Sequence, residues 1–192
     1  MKTRIESVED IVSSFAGQGY ICSEQVALAI YLAAQLNKPV LVEGPPGVGK
    51  TELAKAASAF LVAPLIRLQC YEGLDESRAL YEWKYGKQLL YTQLLRDKLG
   101  SMLADTDSLD ASMARLGDLG EAFYSDTFLE PRPLLQALRS DEPAVLLIDE
   151  IDKADQEFEA FLLELLSDFQ ISIPELGTVR AKHQPLVLLT SN

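Results

Sequence analysis

The sequence predicts a three-layer α/β/α domain built on a mostly parallel sheet. Three observations carry that reading. Pro39-Val40-Leu41-Val42 runs into a glycine-rich loop, Gly44 to Thr51, and then into Leu53-Ala54-Lys55-Ala56-Ala57, which is a strand, a loop and a helix in succession. Ala144-Val145-Leu146-Leu147-Ile148 is apolar without interruption and ends in Asp149 and Glu150. Leu186-Val187-Leu188-Leu189-Thr190 is a second such run. Strands apolar on both faces belong inside a parallel sheet covered by helices on either side.

Composition bounds the class. A chain of 192 residues is long enough for one substantial domain with a real core, and residues 1–192 show no internal repeat and no second domain. With 48% hydrophobic and 24% charged residues it reads as globular rather than disordered. A net charge of −12 repels phosphate backbones and counts against non-specific nucleic-acid binding. No apolar run approaches the ~20 residues of a membrane helix. Met1-Lys2-Thr3-Arg4-Ile5-Glu6 carries an acid and no apolar core, so it is not a secretory signal. Cys22 and Cys70, without CxxC spacing, read as buried thiols in a reducing cytoplasm. His183 is the sole histidine, which counts against a histidine-based metal site.

Along the chain, Ile5, Val8, Val12 and Phe15 form a helical stripe that Gly17-Gln18-Gly19 ends. Ser23 reads as an N-cap, followed by a run from Val26 to Leu36 apolar on most sides, which predicts a helix packed between other elements. Segments just before a phosphate loop often border a nucleotide base, which makes Tyr20 and Ile21 candidates for a base pocket. Thr51 to about Leu61 reads as helix and Leu65–Gln69 as strand. From Glu72 to Gly100, Tyr81, Trp83 and Tyr85 first alternate with polar residues, and Leu89, Leu90, Leu94, Leu95 and Leu99 then suggest a helix. Arg78, Lys84, Lys87, Arg96 and Lys98 make this stretch the most basic. Aromatic and basic residues together can bind single-stranded nucleic acid; the reading favoured here is a surface insertion, about 72–127, with an amphipathic packing face. Residues 101–127, rich in Asp, Ser, Met and Gly, read as mobile with two weakly helical pieces around Leu109 to Leu116. Pro133 suits a helix start and Ser140-Asp141-Glu142-Pro143 a turn. Asp155 can cap a helix whose stripe is Phe158, Phe161, Leu162, Leu165, Leu166 and Phe169. Ile171-Ser172-Ile173 and Thr178-Val179-Arg180 flank a turn and read as a hairpin.

Two motifs carry chemistry. Gly44-Pro45-Pro46-Gly47-Val48-Gly49-Lys50-Thr51 fits G-x-x-x-x-G-K-[ST], the phosphate-binding loop. Its glycines let successive backbone N–H groups turn around an anion, and the next helix adds its own unsatisfied N–H groups. Lys50 supplies a charge near the β and γ phosphates, and Thr51 offers a hydroxyl to Mg²⁺. These eight residues, with Glu52 in the first helical turn, form the candidate nucleotide-binding set. The second motif is the acid pair at the end of the 144–150 run, where ligands sit in parallel sheets. Asp149 there would bind Mg²⁺, and Glu150 would polarise the water that attacks a γ-phosphate. A strand that merely stops at a charged turn is common, so the pair gains its meaning from the loop about a hundred residues earlier.

Taken together, GPPGVGKT (44–51), VLLIDEID (145–152), an amphipathic helix, a hairpin and LLTSN (188–192) resemble the AAA+ ATPases, members of the P-loop NTPase fold. The hairpin and the insertion after the second strand resemble the MoxR branch, whose members are cytoplasmic chaperone-like ATPases that mature partner enzymes. Residues 67–93 and 162–179 look like its CoxD-like members, associated with carbon monoxide dehydrogenase maturation. The resemblance implies ATP and Mg²⁺ as ligands, catalytic roles for Lys50, Glu150 and Asn192, and metal contacts from Thr51 and Asp149. Asn192 matches the polar residue called sensor 1. The implied strand order is 5-1-4-3-2, with the last strand of this chain between the phosphate-loop strand and the Asp149 strand. A homo-oligomeric ring, a hexamer in the full-length protein, a client enzyme and a VWA-domain partner are implied as well.

The family pattern continues past sensor 1 to an arginine finger, a fifth strand and a helical lid, none of which this sequence carries. The resemblance therefore implies a C-terminally truncated AAA+ domain. An arginine finger is worth roughly 10³–10⁵ in rate in other phosphoryl-transfer systems, so an ATP-binding assembly module with little hydrolysis is the alternative to an ATPase. A GTPase is disfavoured, because Asn37-Lys38-Pro39-Val40 lacks the Asp of N-K-x-D and precedes the loop. The charge of −12 disfavours a DNA-handling role.

Overall fold

In a computed structural model the sheet's two central strands show why the helices flank it. The structure describes residues 5–104, 120, 122–174 and 176–192. Every residue of β5 (Val145–Asp149) is buried. Side chains alternate across a strand: Leu146 and Ile148 enter one core cluster, Val145 and Leu147 the other. β8 (Leu186–Ser191) divides the same way, with Val187 on the first side and Leu186 and Leu188 on the second.

β1 (Val40–Glu43) and β2 (Leu65–Gln69) complete a four-stranded sheet in the order β1-β8-β5-β2, all parallel. That places β8 between the phosphate-loop strand and the acid-bearing strand, the predicted arrangement. On one face lie α1 (Val8–Gly17), α2 (Glu24–Leu36) and α3 (Lys50–Leu61). On the other lie α4 (Glu76–Leu80), α6 (Pro133–Arg139) and α7 (Gln156–Asp168). These are the three layers of a P-loop fold, as the sequence predicts.

Local chemistry sets the element ends. Ser7, Ser23, Asp75 and Asp155 each accept a bond from a backbone N–H three residues on, at 3.1, 3.3, 2.8 and 2.9 Å. Pro133 opens α6, where its missing N–H costs nothing. α2, α3 and α7 end on the left-handed residues Asn37, Val62 and Phe169. The hairpin of β6 (Gln170–Ile173) and β7 (Gly177–Arg180) follows α7.

Several expectations need correction. α2 is not packed on all sides: Ala27, Ile30 and Ala33 are buried, but Leu28, Leu32 and Leu36 form an exposed i, i+4, i+8 row. Small alanines let this helix sit close to α1 with only one stripe. In the insertion, Tyr81–Trp83 is a strand, β3, paired antiparallel with β4 (Leu129–Pro131). Trp83 is buried there, edge-on to Tyr81 and Tyr124. α5 (Tyr85–Ala104) follows, and the apolar face expected to pack leaves Leu89, Leu90 and Leu94 exposed. Cys70 is buried as expected, whereas Cys22 is only half-buried. The helical pieces expected around Leu109 to Leu116 lie outside the described residues, as does most of the stretch expected to be mobile.

Candidate functional site

The parallel register brings four strand ends to one edge of the sheet: Glu43 opposite Ser191, and Gln69 opposite Asp149. The phosphate loop leaves β1 there. Gly47 (φ +85) and Gly49 (φ +92) take left-handed backbone that a side chain would strain. Gly49 is also the N-cap of α3, so the loop delivers the chain straight onto a helix N-terminus. Gly44 N–H donates to Ser191 O at 3.3 Å, tying the loop to the end of β8. Pro45, Pro46 and Val48 lie on the exposed rim.

Lys50, first residue of α3, folds over the loop. Its Nζ donates to Gly44 O, to Pro45 O at 3.2 Å and to Asn192 Oδ1 at 2.9 Å. Asn192 is held in turn by its own N–H, which donates to Asp152 Oδ1 at 3.2 Å. Thr51 Oγ1 lies 3.2 and 3.4 Å from the two carboxylate oxygens of Asp149. Lys50 therefore meets Asn192, and Thr51 meets Asp149, at one edge of the sheet, although 142 residues separate Lys50 from Asn192.

Asp149 is only 3% exposed. Burial pushes its carboxyl upward, but hydrogen bonds from Thr190, Arg67 and Thr51, with the Arg67 charge, outweigh it and hold the group below the usual carboxylate range. Thr190 Oγ1 donates to Asp149 Oδ1 and accepts from Glu150 N–H at 2.9 Å. Glu150 itself is left-handed (φ +59), a conformation that costs a non-glycine residue about 1–3 kcal/mol. That turn sends its carboxylate sideways, where Oε2 accepts from Gln69 Nε2 at 2.8 Å and Lys153 Nζ at 2.5 Å. Glu52 points out along α3 and pairs with Lys55 at 2.5 Å. Tyr20 is half-buried and edge-on to Phe15, with its ring edge 3.4 Å from where a Gly49 Cβ would stand; Ile21 is 91% exposed.

Four residues escaped the sequence reading. Thr190 is a hydroxyl inside an otherwise apolar strand, a signal that was present. Arg67 and Gln69 sit at alternate positions of β2 and look like ordinary solvent-facing residues. Lys153 looks like any exposed lysine until the one-turn 3₁₀ segment Ile151–Lys153 brings it under Glu150.

The hard oxygens of Thr51 and Asp149 suit Mg²⁺, which takes one or two carboxylates plus phosphate oxygens and water. Among the described residues no group of three or more His, Cys, Asp or Glu is placed to hold a metal ion by itself.

A glycine loop on a helix N-terminus, with its threonine facing Asp149 at the end of β5 and its lysine facing Asn192 past the end of β8, defines a P-loop nucleotide-binding domain. The chain belongs to the AAA family: the AAA domain (dynein-related subfamily) matches residues 39–192. Its sequence is similar to the chaperone protein ClpB of Gloeobacter violaceus, 26% identical over 178 residues. It is also similar to ClpB 2 of Parasynechococcus marenigrum, 30% identical over 149 residues. These alignments cover 90% and 78% of this chain but 16% and 13% of those proteins, so the chain spans about a sixth of their length or less. Its fold is similar to the Saccharomyces cerevisiae Hsp104–ADP complex, with a TM-score of 0.53, 23% identity, and coverage of 96% of this chain and 27% of that one. It is therefore an AAA domain with ClpB chaperones among its relatives. Among the described residues no helix is long and apolar enough to cross a membrane.

Proposed function

We propose that this chain binds ATP with Mg²⁺ and hydrolyses it as the motor domain of a MoxR-type AAA+ chaperone. The observation that carries the reading is the meeting of Lys50 with Asn192 and of Thr51 with Asp149 at one edge of the sheet. Lys50 and the loop N–H groups bind the β and γ phosphates. Tyr20 borders the base, and Ile21 closes over it from the loop ahead of α2. Thr51 and Asp149 hold Mg²⁺, which when bound offsets the charge that develops on the phosphates. Asn192 positions the attacking water. Glu150 takes its proton once its carboxylate is free of Lys153 and Gln69.

The β6–β7 hairpin ahead of β8 and the β3–β4 ribbon after β2 support the MoxR branch. On that reading the full-length protein works as a hexameric ring in the cytoplasm with a VWA-domain partner. Its client is a metalloenzyme, with carbon monoxide dehydrogenase favoured by residues 67–93 and 162–179. Residues 1–192 act as one nucleotide-binding domain.

A second reading, an ATP-binding assembly module with little hydrolysis, is favoured by the engagement of Glu150 with Gln69 and Lys153. Phosphate release by the 192-residue chain separates the two. Glu150→Gln should keep nucleotide binding and lose turnover by about 10²–10⁴-fold. Normal turnover in that variant removes the role given to Glu150.

A further inference from the structure

The buried acid of this site already has a cationic partner. Asp149 Oδ2 accepts from Arg67 Nη2 at 2.6 Å, while Thr190 and Thr51 donate to the same carboxylate. The two ends of the ion pair differ in freedom. The Asp149 side chain is 4% exposed and sits on a central strand; the Arg67 side chain is 51% exposed and stands on β2, at the end of the described sheet. Arg67 is further steered by Gln69 Oε1 at 2.5 Å.

A carboxylate this buried is costly to keep charged without a counter-charge. A divalent cation supplies one, and so does a guanidinium. Both cannot act on the same carboxylate without repelling each other at short range. Asp149 cannot leave, because its strand neighbours enclose it. Arg67 can, because half of its side chain is already exposed.

We propose that Arg67 is an exchangeable counter-charge, which neutralises Asp149 in the absence of a divalent cation and is displaced when magnesium arrives with the nucleotide. It thereby sets how tightly the site holds its metal. The proposal rests on the reading of Thr51 and Asp149 as the metal-holding pair.

Mn²⁺ serves as the probe, its free form followed by electron paramagnetic resonance as it is titrated into the 192-residue chain saturated with a non-hydrolysable ATP analogue. Arg67→Gln should hold Mn²⁺ about tenfold tighter than the wild type, the effect of removing one partly solvated competing charge. Arg67→Lys, with a weaker and shorter-reaching partner, should fall between. Without metal, Arg67→Gln should melt below the wild type, and saturating Mn²⁺ with the analogue should close the gap. Equal or weaker Mn²⁺ affinity in Arg67→Gln, or a melting deficit that survives saturation, overturns the proposal. Should Arg67→Gln fail to fold, Arg67→Lys decides alone, and unchanged affinity there overturns it. Asp149→Asn separates the two layers: it should weaken Mn²⁺ binding at least tenfold. Undiminished binding in Asp149→Asn overturns the metal-site reading and this proposal with it, whereas a weakened Asp149→Asn beside an unaltered Arg67→Gln overturns the proposal alone.

Discussion

Lys50 Nζ donates to Asn192 Oδ1 across 2.9 Å, joining the first residue of α3 to the residue that follows β8. The contact exists because β8 lies beside β1 in the sheet, so the loop and the end of β8 leave the sheet together. The two side chains should fail differently when cut back. Lys50→Ala removes a full charge facing phosphate and should weaken ATP binding by about tenfold or more, as charge-assisted bonds of about 1.5–3 kcal/mol are lost. Asn192→Ala should leave affinity within about threefold yet lower turnover by about 10²-fold, if it orients only the attacking water. Titration with a fluorescent nucleotide and phosphate release read the two effects. Equal losses of affinity in both variants would make Asn192 a binding residue rather than a positioning one.

Asp149 predicts an acid-sensitive limb of stability. Its folded pKa lies below the usual value despite burial, because Thr190, Arg67 and Thr51 favour the carboxylate. The stabilisation is therefore fully present above the ordinary carboxylate range and is lost as pH falls through the lowered value, below about pH 4. Asp149→Asn should melt lower at pH 7. The expected loss is about 1–2 kcal/mol, toward the low end because Arg67 is half in water and screened. The difference from wild type should shrink toward pH 3. Thermal melts across that range check it, and a difference independent of pH would mean that the ionised form is not what the fold uses.

Much of this site was legible because its signals are local or periodic. GPPGVGKT needs only its own eight residues and a strand before it. The Val145–Ile148 run could only be a strand buried on both faces, and both core clusters bear that out. What escaped depends on where strands fall relative to each other. Arg67 meets Asp149 only because Gln69 pairs in register with Asp149. β3 was missed because three residues are too few for a periodic signal and its partner, β4, lies across the whole insertion. The Leu28, Leu32 and Leu36 row misleads for the opposite reason: apolar residues all round a helix suggest burial all round, and burial follows only one stripe.

The two thiols should separate cleanly. Burial, reinforced by the charges of Asp149, Asp152 and Glu150, pushes Cys70 up to about 12. The thiolate is the reactive form, so Cys70 is inert at neutral pH. Cys22 is also raised by burial, but it remains partly accessible. Maleimide at pH 7.5 should modify Cys22 alone in the native chain and both residues in denaturant, as intact-mass spectrometry would record. Native labelling of Cys70 would mean that the acid end of the sheet opens readily.

Lys153 and Gln69 both bond the same oxygen of Glu150, Oε2. If Glu150 is the general base, that oxygen must come free before it can take a proton. Lys153 is the more easily lost of the two contacts, since its side chain is half exposed and the pair is screened. Lys153→Met keeps the length of the side chain and removes the charge. It should raise kcat about twofold at unchanged KM, the size expected for a solvent-exposed pair. Added salt should raise wild-type turnover toward the variant and leave the variant itself unmoved. Glu150→Gln combined with Lys153→Met should be as inactive as Glu150→Gln alone, because nothing then remains to release. A fall in kcat in Lys153→Met would reverse the assignment, and Lys153 would be holding Glu150 in its working position rather than away from it.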